Sequence, residues 1–185
     1  MEHGTFEVIM GCMFSGKSTE LINRIRKHKI IGSRMMAVNH VSDTRYNGDT
    51  QTRITSHNLD TEKAISTDNL MSLMETDMYV NAQVIFIEEG QFFKDLYTFV
   101  KKAVDHDKKH VVVCGLDGDF QREPIGQILN LVPIADKVDR FQALCAVCKN
   151  GKSAAFSKRL SSNQEQELVG GQADYIPVCR YHYLL

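Results

Sequence analysis

The stretch Phe6-Glu7-Val8-Ile9-Met10-Gly11-Cys12-Met13-Phe14-Ser15-Gly16-Lys17-Ser18 decides the fold, because it joins an apolar run to the pattern G-x-x-x-x-G-K-[ST]. The run from Phe6 to Met10 is short, partly β-branched and stopped by Gly11, so it reads as a buried first strand. Beyond Ser18, the positions Leu21, Ile22 and Ile25 keep helical spacing while Asn23, Arg24, Arg26 and Lys27 fill the other face. This predicts an amphipathic helix from Lys17 to about Ile30, stopped by Gly32. A glycine-rich turn between a buried strand and a helix N-terminus is a phosphate cradle: the loop from Gly11 to Gly16 presents N–H groups, and the helix end adds partial positive charge. Lys17 then reaches the terminal phosphates, and Ser18 is placed to ligate magnesium. Cys12 reads only as a small side chain in that loop.

Further along the chain, Met35 to Val41, Val84-Ile85-Phe86-Ile87 and His110 to Leu116 read as additional strands. A helix begins at Leu96 and includes Val100, Ala103 and Val104, and Asp68 to Met78 is expected to form a short one. Ser42 to about Lys63 is polar and aperiodic and reads as a long loop. Continuous apolar strands alternating with helices imply a parallel sheet covered on both faces. The fold expected is therefore α/β, a P-loop NTPase-like parallel sheet covered by helices. After about Leu144 helical periodicity fades and cysteine pairs appear, so the division expected is an ATP-binding domain over 1–141 and a small zinc-binding domain over 142–185.

At 185 residues, 43% hydrophobic and 24% charged, the chain can bury a core and is neither collagenous nor disordered. Lys plus Arg (22) nearly balance Asp plus Glu (23) for a net charge of −1, which gives no global reason to bind nucleic acid or a membrane surface. The start Met1-Glu2-His3-Gly4-Thr5 lacks a signal-peptide pattern, and no apolar run approaches membrane-spanning length, so a soluble intracellular protein is expected.

Two further constellations carry chemistry. Glu88 and Glu89 end the Val84 strand, where open α/β sheets expose functional groups. Strand alternation is expected to send them to opposite sides, so that one can bind magnesium while the other faces an acceptor as general base. Cys145-x-x-Cys148 and Cys179-x-x-His182 have the spacing of a Cys3His zinc site, and four protein ligands leave no open position, so zinc should be structural. Cys114 reads as a buried small hydrophobe. The histidines at 3, 28, 40, 57, 106 and 110 show no ligand spacing. Phe92-Phe93 suit the core, and Phe120, in a Gly- and Asp-rich loop, suits the face of a flat ligand.

Gly11 to Leu21, Asp43-Thr-Arg-Tyr46, Glu88-Glu-Gly-Gln-Phe-Phe93, Leu116-Asp-Gly-Asp-Phe-Gln-Arg122, Ile128-Leu-Asn-Leu-Val-Pro133, Ser157-Lys-Arg-Leu160 and Val169-Gly-Gly171 together resemble the zinc-containing type II thymidine kinases, in that family's order and over nearly the whole chain. The resemblance implies transfer of phosphate from ATP to the 5′-hydroxyl of thymidine, with Glu89 as base. It implies an ATP site formed by Gly11, Cys12, Met13, Phe14, Ser15, Gly16, Lys17, Ser18, Asp43, Thr44, Arg45, Glu88, Gly90 and Gln91, with magnesium at Ser18 and Glu88. It places Met13, Phe92, Leu116, Phe120, Ser157 and Tyr175 around the base. A zinc-anchored lasso from about Lys149 to Val178 would bind thymine through backbone groups of Gln166, Glu167, Leu168, Val169 and Gly170, with Arg159 holding phosphate or the lasso. The family also implies feedback by dTTP, a homotetramer and a cytoplasmic setting. Four positions depart from its pattern: Glu88 stands for a usual Asp, His182 for a frequent Cys, Glu123 for a frequently basic residue and Asp119 for a frequent Thr. Rival readings are a kinase for another nucleoside and a nucleic-acid-binding zinc-ribbon ATPase; a GTP switch lacks its N-K-x-D segment.

Overall fold

The computed structural model describes residues 3–43, 53–56, 60–161, 166 and 174–185. The first strand, β1 (Thr5–Gly11), leads through the glycine-rich loop into α1 (Lys17–Ile30) and then β2 (Met35–His40). A small antiparallel hairpin follows, β3 (Arg53–Thr55) with β4 (Thr61–Lys63), and then β5 (Ile65–Thr67). Next come α2 (Asp77–Asn81), β6 (Val84–Ile87), α3 (Leu96–Lys101) and β7 (His110–Gly115). The chain ends in β8 (Lys137–Phe141), β9 (Ala143–Leu144), β10 (Ser153–Ala154), β11 (Phe156–Arg159), β12 (Tyr175–Val178) and α4 (Arg180–Leu184).

Six of these strands form one parallel sheet in the order β5-β2-β6-β7-β1-β8. Its alternating side chains build two cores. Phe6 and Val8 of β1, Ile85 and Ile87 of β6, and Val111 and Val113 of β7 meet Leu96, Phe99 and Val100 of α3 on one face. Ile9, Phe86, Val112 and Cys114 meet Leu21, Ile22 and Ile25 of α1 on the other. Burial on both faces is the reason the central strands read as unbroken apolar runs. Each fully buried Ile or Phe contributes roughly 1.5–3 kcal/mol to that packing.

Register brings the functional loops to one edge. Met10 pairs with Gly115 and Ile87 with Val113, so the segments after β1, β6 and β7 all leave the carboxyl ends of adjacent strands. Gly11 has φ 147°, and a Cβ there would lie 2.2 Å from the carbonyl oxygen of Phe141 on β8. Only glycine lets the first strand turn into the loop so close to its neighbour.

The structure corrects three expectations. Asp68–Met78 is not one helix: a 3₁₀ turn at Met71–Leu73 precedes α2, because Thr76 caps α2 through its hydroxyl, which accepts from the Tyr79 amide at 3.3 Å. The helix from Leu96 leaves α geometry at Lys102–His106, which form a π turn. Within the expected loop, Arg53–Thr55 and Thr61–Lys63 pair as the β3–β4 hairpin.

Candidate active site and metal centre

The loop between β1 and α1 is held from both sides. Ser15 Oγ and Lys17 Nζ each donate to the Cys12 carbonyl at 2.8 Å, and the Met13 amide donates to Ser157 Oγ of β11 at 3.0 Å. Gly16 takes φ 87°, which starts α1 without the Cβ cost of a left-handed residue. Cys12 turns away from the loop's concave side. It packs with Ala143, Cys145, Ala154, Val178 and Cys179, and its thiol donates to the Ala154 carbonyl at 3.3 Å. Burial pushes the Cys12 thiol above its ordinary range, and burial followed by the charge of Glu88 does the same to Cys114. Both shifts disfavour the thiolate.

Glu88 and Glu89 are both buried at the end of β6. Ser18 Oγ donates to Glu88 Oε1 at 2.5 Å, so the hydroxyl and carboxylate expected to hold magnesium converge beside the phosphate loop. Glu89 Oε2 instead accepts from Gln91 Nε2 at 2.5 Å. The carboxylates do part, but strand alternation is not the reason. β6 ends at Ile87, and Glu89 adopts a left-handed φ of 53° at the start of a 3₁₀ turn. A non-glycine residue in that region carries strain, which clusters at functional positions. Gln91 has both ends of its amide engaged, because its Oε1 accepts from the Leu116 amide at 3.0 Å. It therefore ties the end of β6 to the segment after β7, a positioning role that local sequence could not reveal.

One cleft of about 840 Å³, open mouth included, collects most of the expected residues. Its lining includes Met13, Phe14, Ser15, Gly16, Lys17 and Ser18 of the loop, Glu88, Glu89, Gln91 and Phe92 after β6, and Leu116, Asp119, Phe120, Ser157, Gln166 and Tyr175 from later segments. Gly118 and Ile125 also line it and were not singled out by sequence. Gly11, Cys12, Gly90, Asp43 and Arg159 stand outside the lining. Asp43 Oδ2 accepts from Asn39 Nδ2 at 2.9 Å. Arg159 lies behind Phe120, its guanidinium 3.8 Å from the ring centroid, and its Nε donates to the Tyr175 hydroxyl at 3.0 Å. Thr44, Arg45, Glu167, Leu168, Val169 and Gly170 lie outside the described residues.

Cys145, Cys148, Cys179 and His182 bring four donor atoms within 4.8 Å of one another. Cys148 Sγ to Cys179 Sγ is 3.8 Å, and His182 Nδ1 lies 3.6, 3.3 and 3.5 Å from the sulfurs of Cys145, Cys148 and Cys179. A tetrahedron with ~2.3 Å sulfur arms and a ~2.0 Å nitrogen arm has edges of ~3.8 Å and ~3.5 Å, so the donor set fits zinc through Nδ1. The Cys179 amide donates to Cys145 Sγ at 3.3 Å, and Lys158 Nζ donates to the His182 carbonyl at 2.9 Å, which hold the ligands in place. Although burial raises the Cys145 thiol, backbone hydrogen bonds from Cys148, Cys179 and Val147 bring it below its ordinary value. Cys148 is raised by burial and by its neighbouring sulfurs.

A glycine-rich G-x-x-x-x-G-K-S loop, a hydroxyl–carboxylate pair beside it and a second carboxylate lining the same cleft as Phe120 and Tyr175 are the parts of a P-loop phosphotransferase. Residues 4–183 match the family described as thymidine kinase. The chain is 42% identical over 184 residues to thymidine kinase a of Arabidopsis thaliana, covering 98% of this chain and 75% of that protein. It is 38% identical to the thymidine kinase of Sheeppox virus strain KS-1, covering 100% and 99%. To the cytosolic thymidine kinase of Homo sapiens it is 41% identical over 180 residues, covering 97% and 73%. The chain belongs to the thymidine kinase family.

Proposed function

We propose that this protein transfers the γ-phosphoryl group of ATP to the 5′-hydroxyl of thymidine, giving dTMP and ADP. The observation that carries this reading is the separation of the two carboxylates within one cleft. Glu88 is joined to Ser18 beside the phosphate loop, and Glu89 is joined to Gln91, which is tied to Leu116 on the segment that carries Phe120. An ATPase needs the first carboxylate; an acceptor alcohol gives the second a purpose.

In this reading the loop amides from Met13 to Ser18 surround the β- and γ-phosphates, and Lys17 leaves the Cys12 carbonyl to meet the transferring group. Ser18 and Glu88 would hold magnesium, which when bound to ATP offsets the charge of its phosphates. Glu89 accepts the proton of the 5′-hydroxyl as the new P–O bond forms, and Gln91 holds that carboxylate toward the acceptor. The α1 N-terminus and Lys17 stabilise the equatorial oxygens through an in-line transfer. Leu116, Phe120 and Tyr175 enclose the base and exclude water, and Ser157 joins that wall to the phosphate loop through the Met13 amide.

Zinc at Cys145, Cys148, Cys179 and His182 would be structural, fixing the ends of the segment between the two pairs. The ribbons β9–β10 and β11–β12, which follow the main sheet, support treating 142–185 as a separate small domain. Among the described residues no helix is long and apolar enough to cross a membrane. Feedback by dTTP, a homotetramer and a cytoplasmic setting complete the reading on the strength of the family resemblance. The test is a phosphorylation assay across the four deoxynucleosides. Thymidine should be converted and deoxycytidine should not; equal conversion of both would overturn the substrate assignment.

A further inference from the structure

The lining of the cleft contains a contact that neither the fold nor the chemistry above requires. Asp119, 7% exposed, uses its two carboxylate oxygens differently. Oδ1 accepts from the amides of Gln121 at 2.8 Å and Glu123 at 2.9 Å, which organises the turn that carries Phe120. Oδ2 accepts from the side chain of Gln166 at 2.9 Å, and the same Gln166 nitrogen donates to the Pro124 carbonyl at 3.2 Å. Gln166 is thereby fastened to both ends of the Asp119–Pro124 turn, forty-seven positions away from Asp119 in the chain.

The contact closes a circuit around the aromatic wall. The Gln166 carbonyl accepts from Arg159 Nη2 at 3.4 Å, and the Arg159 guanidinium lies on the Phe120 ring at 3.8 Å and donates to the Tyr175 hydroxyl. One side of Phe120 is therefore occupied by a cation, and the position of its ring depends on a turn held by Asp119 and on an arginine held by Gln166. Asp119, Phe120, Gln166 and Tyr175 all line the cleft, and they belong to segments other than the phosphate loop. A disturbance of this circuit should reach a ligand against Phe120 and leave a ligand on the loop untouched.

We infer that the Asp119–Gln166 hydrogen bond is a positioning pair for the nucleoside, setting the placement of Phe120 and so the affinity for the base. The inference rests on the nucleoside-kinase reading of this cleft. It also gives a role to Asp119, whose second oxygen the turn itself does not need.

The pair permits an exchange of roles between its partners. Gln166→Glu sets a carboxylate against Asp119 Oδ2 and the Pro124 carbonyl, where a donor stood. Asp119→Asn keeps Oδ1 for the two turn amides and replaces Oδ2 by an amide that can donate. In the double variant the donor and the acceptor have changed sides. The experiment measures thymidine KM, ATP KM, kcat and Tm for the parent, the two single variants and the double variant. Gln166→Glu should raise thymidine KM by about tenfold or more, the scale of losing a hydrogen bond to a charged acceptor, with ATP KM and kcat within twofold. Adding Asp119→Asn should recover most of that loss. Unchanged thymidine KM in Gln166→Glu, an equal rise in ATP KM, or no recovery in the double variant would overturn the pair's role. A coupling visible in Tm and absent from thymidine KM would also overturn it, by making the contact structural only. A parent protein that converts no nucleoside would refute the reading of the cleft instead; the pair is then judged by the same cycle in the Kd for thymidine, where absence of coupling overturns it.

Discussion

Replacing Glu89 by Gln should remove the base without disturbing its surroundings. Glu89 is buried, and its Oε2 accepts from Gln91 Nε2 at 2.5 Å, while Gln91 is itself fixed by the Leu116 amide at 3.0 Å. A glutamine at 89 can satisfy Gln91 only by presenting its own carbonyl oxygen, since two amide nitrogens would otherwise face each other. That arrangement turns the new NH2 toward the cleft, so a donor replaces the acceptor that the 5′-hydroxyl requires. Volume and the hydrogen bond to Gln91 are kept, and Tm should move little. The loss is that of a general base, ~10²–10⁴-fold in kcat, which is about 3–5 kcal/mol of barrier at 1.36 kcal/mol per factor of ten. The assay is ADP release at saturating ATP and thymidine, with KM for each measured separately. Both KM values should stay within about twofold, because the interaction removed belongs to the transition state. A variant that kept kcat within threefold, or lost efficiency through KM alone, would refute the role of Glu89.

Other consequences follow from the same geometry. Ser18→Ala and Glu88→Gln should each raise the magnesium concentration needed for half-maximal rate by about tenfold; a magnesium titration with an unchanged midpoint would contradict this. Cys179→Ser should reduce zinc from about one per chain toward none and lower Tm, as metal analysis and thermal unfolding can show, because binding free energy at a closed site is folding free energy. Active parent protein free of zinc would remove the claim. Gly11→Ala should destabilise the fold by roughly 2 kcal/mol or more, since its Cβ would meet the Phe141 carbonyl and its φ is positive; an unchanged urea midpoint would contradict that. His110, beside Glu7 and stacked 5.8 Å from His28, is held below its ordinary value of 6.5, as is His28, burial being the main cause in both. The unfolded chain then binds more protons than the folded one below pH 6.5, so stability should fall as pH drops from 7 toward 5. His110→Asn should flatten that fall in urea titrations; a slope unchanged by the substitution would refute the assignment.

The legible parts of this protein are those written in local pattern. Phe6 to Ser18 announces a buried strand and a phosphate loop within a few residues, and the structure returns β1, the loop and α1 at the expected limits. The Cys and His pairs are equally local, and their donor atoms meet as spacing implied. β5 and β8 were not legible because they are the sheet's edges. Lys137-Val138-Asp139-Arg140-Phe141 is largely exposed, so it carries no apolar run, and its salt bridges from Asp139 to Arg24 and Lys137 read in sequence as solvated charge. Within the site, the types and places of Glu88 and Glu89 were readable, while the left-handed turn that separates them was not. The roles of Gln91 and Asp119 depend on Leu116 and Gln166, partners that only the fold brings near. Sequence pattern speaks of neighbours along the chain, and these contacts join different strand ends.

A cleft that joins a phosphate loop to an alcohol acceptor decides the fate of γ-labelled phosphate. With magnesium, γ-labelled ATP and thymidine, label should appear as the 5′-monophosphate of thymidine in step with ADP, and 5′-deoxythymidine should accept none while competing with thymidine. ADP formation with label only in inorganic phosphate, or label at the 3′-oxygen, would refute transfer to the 5′-hydroxyl.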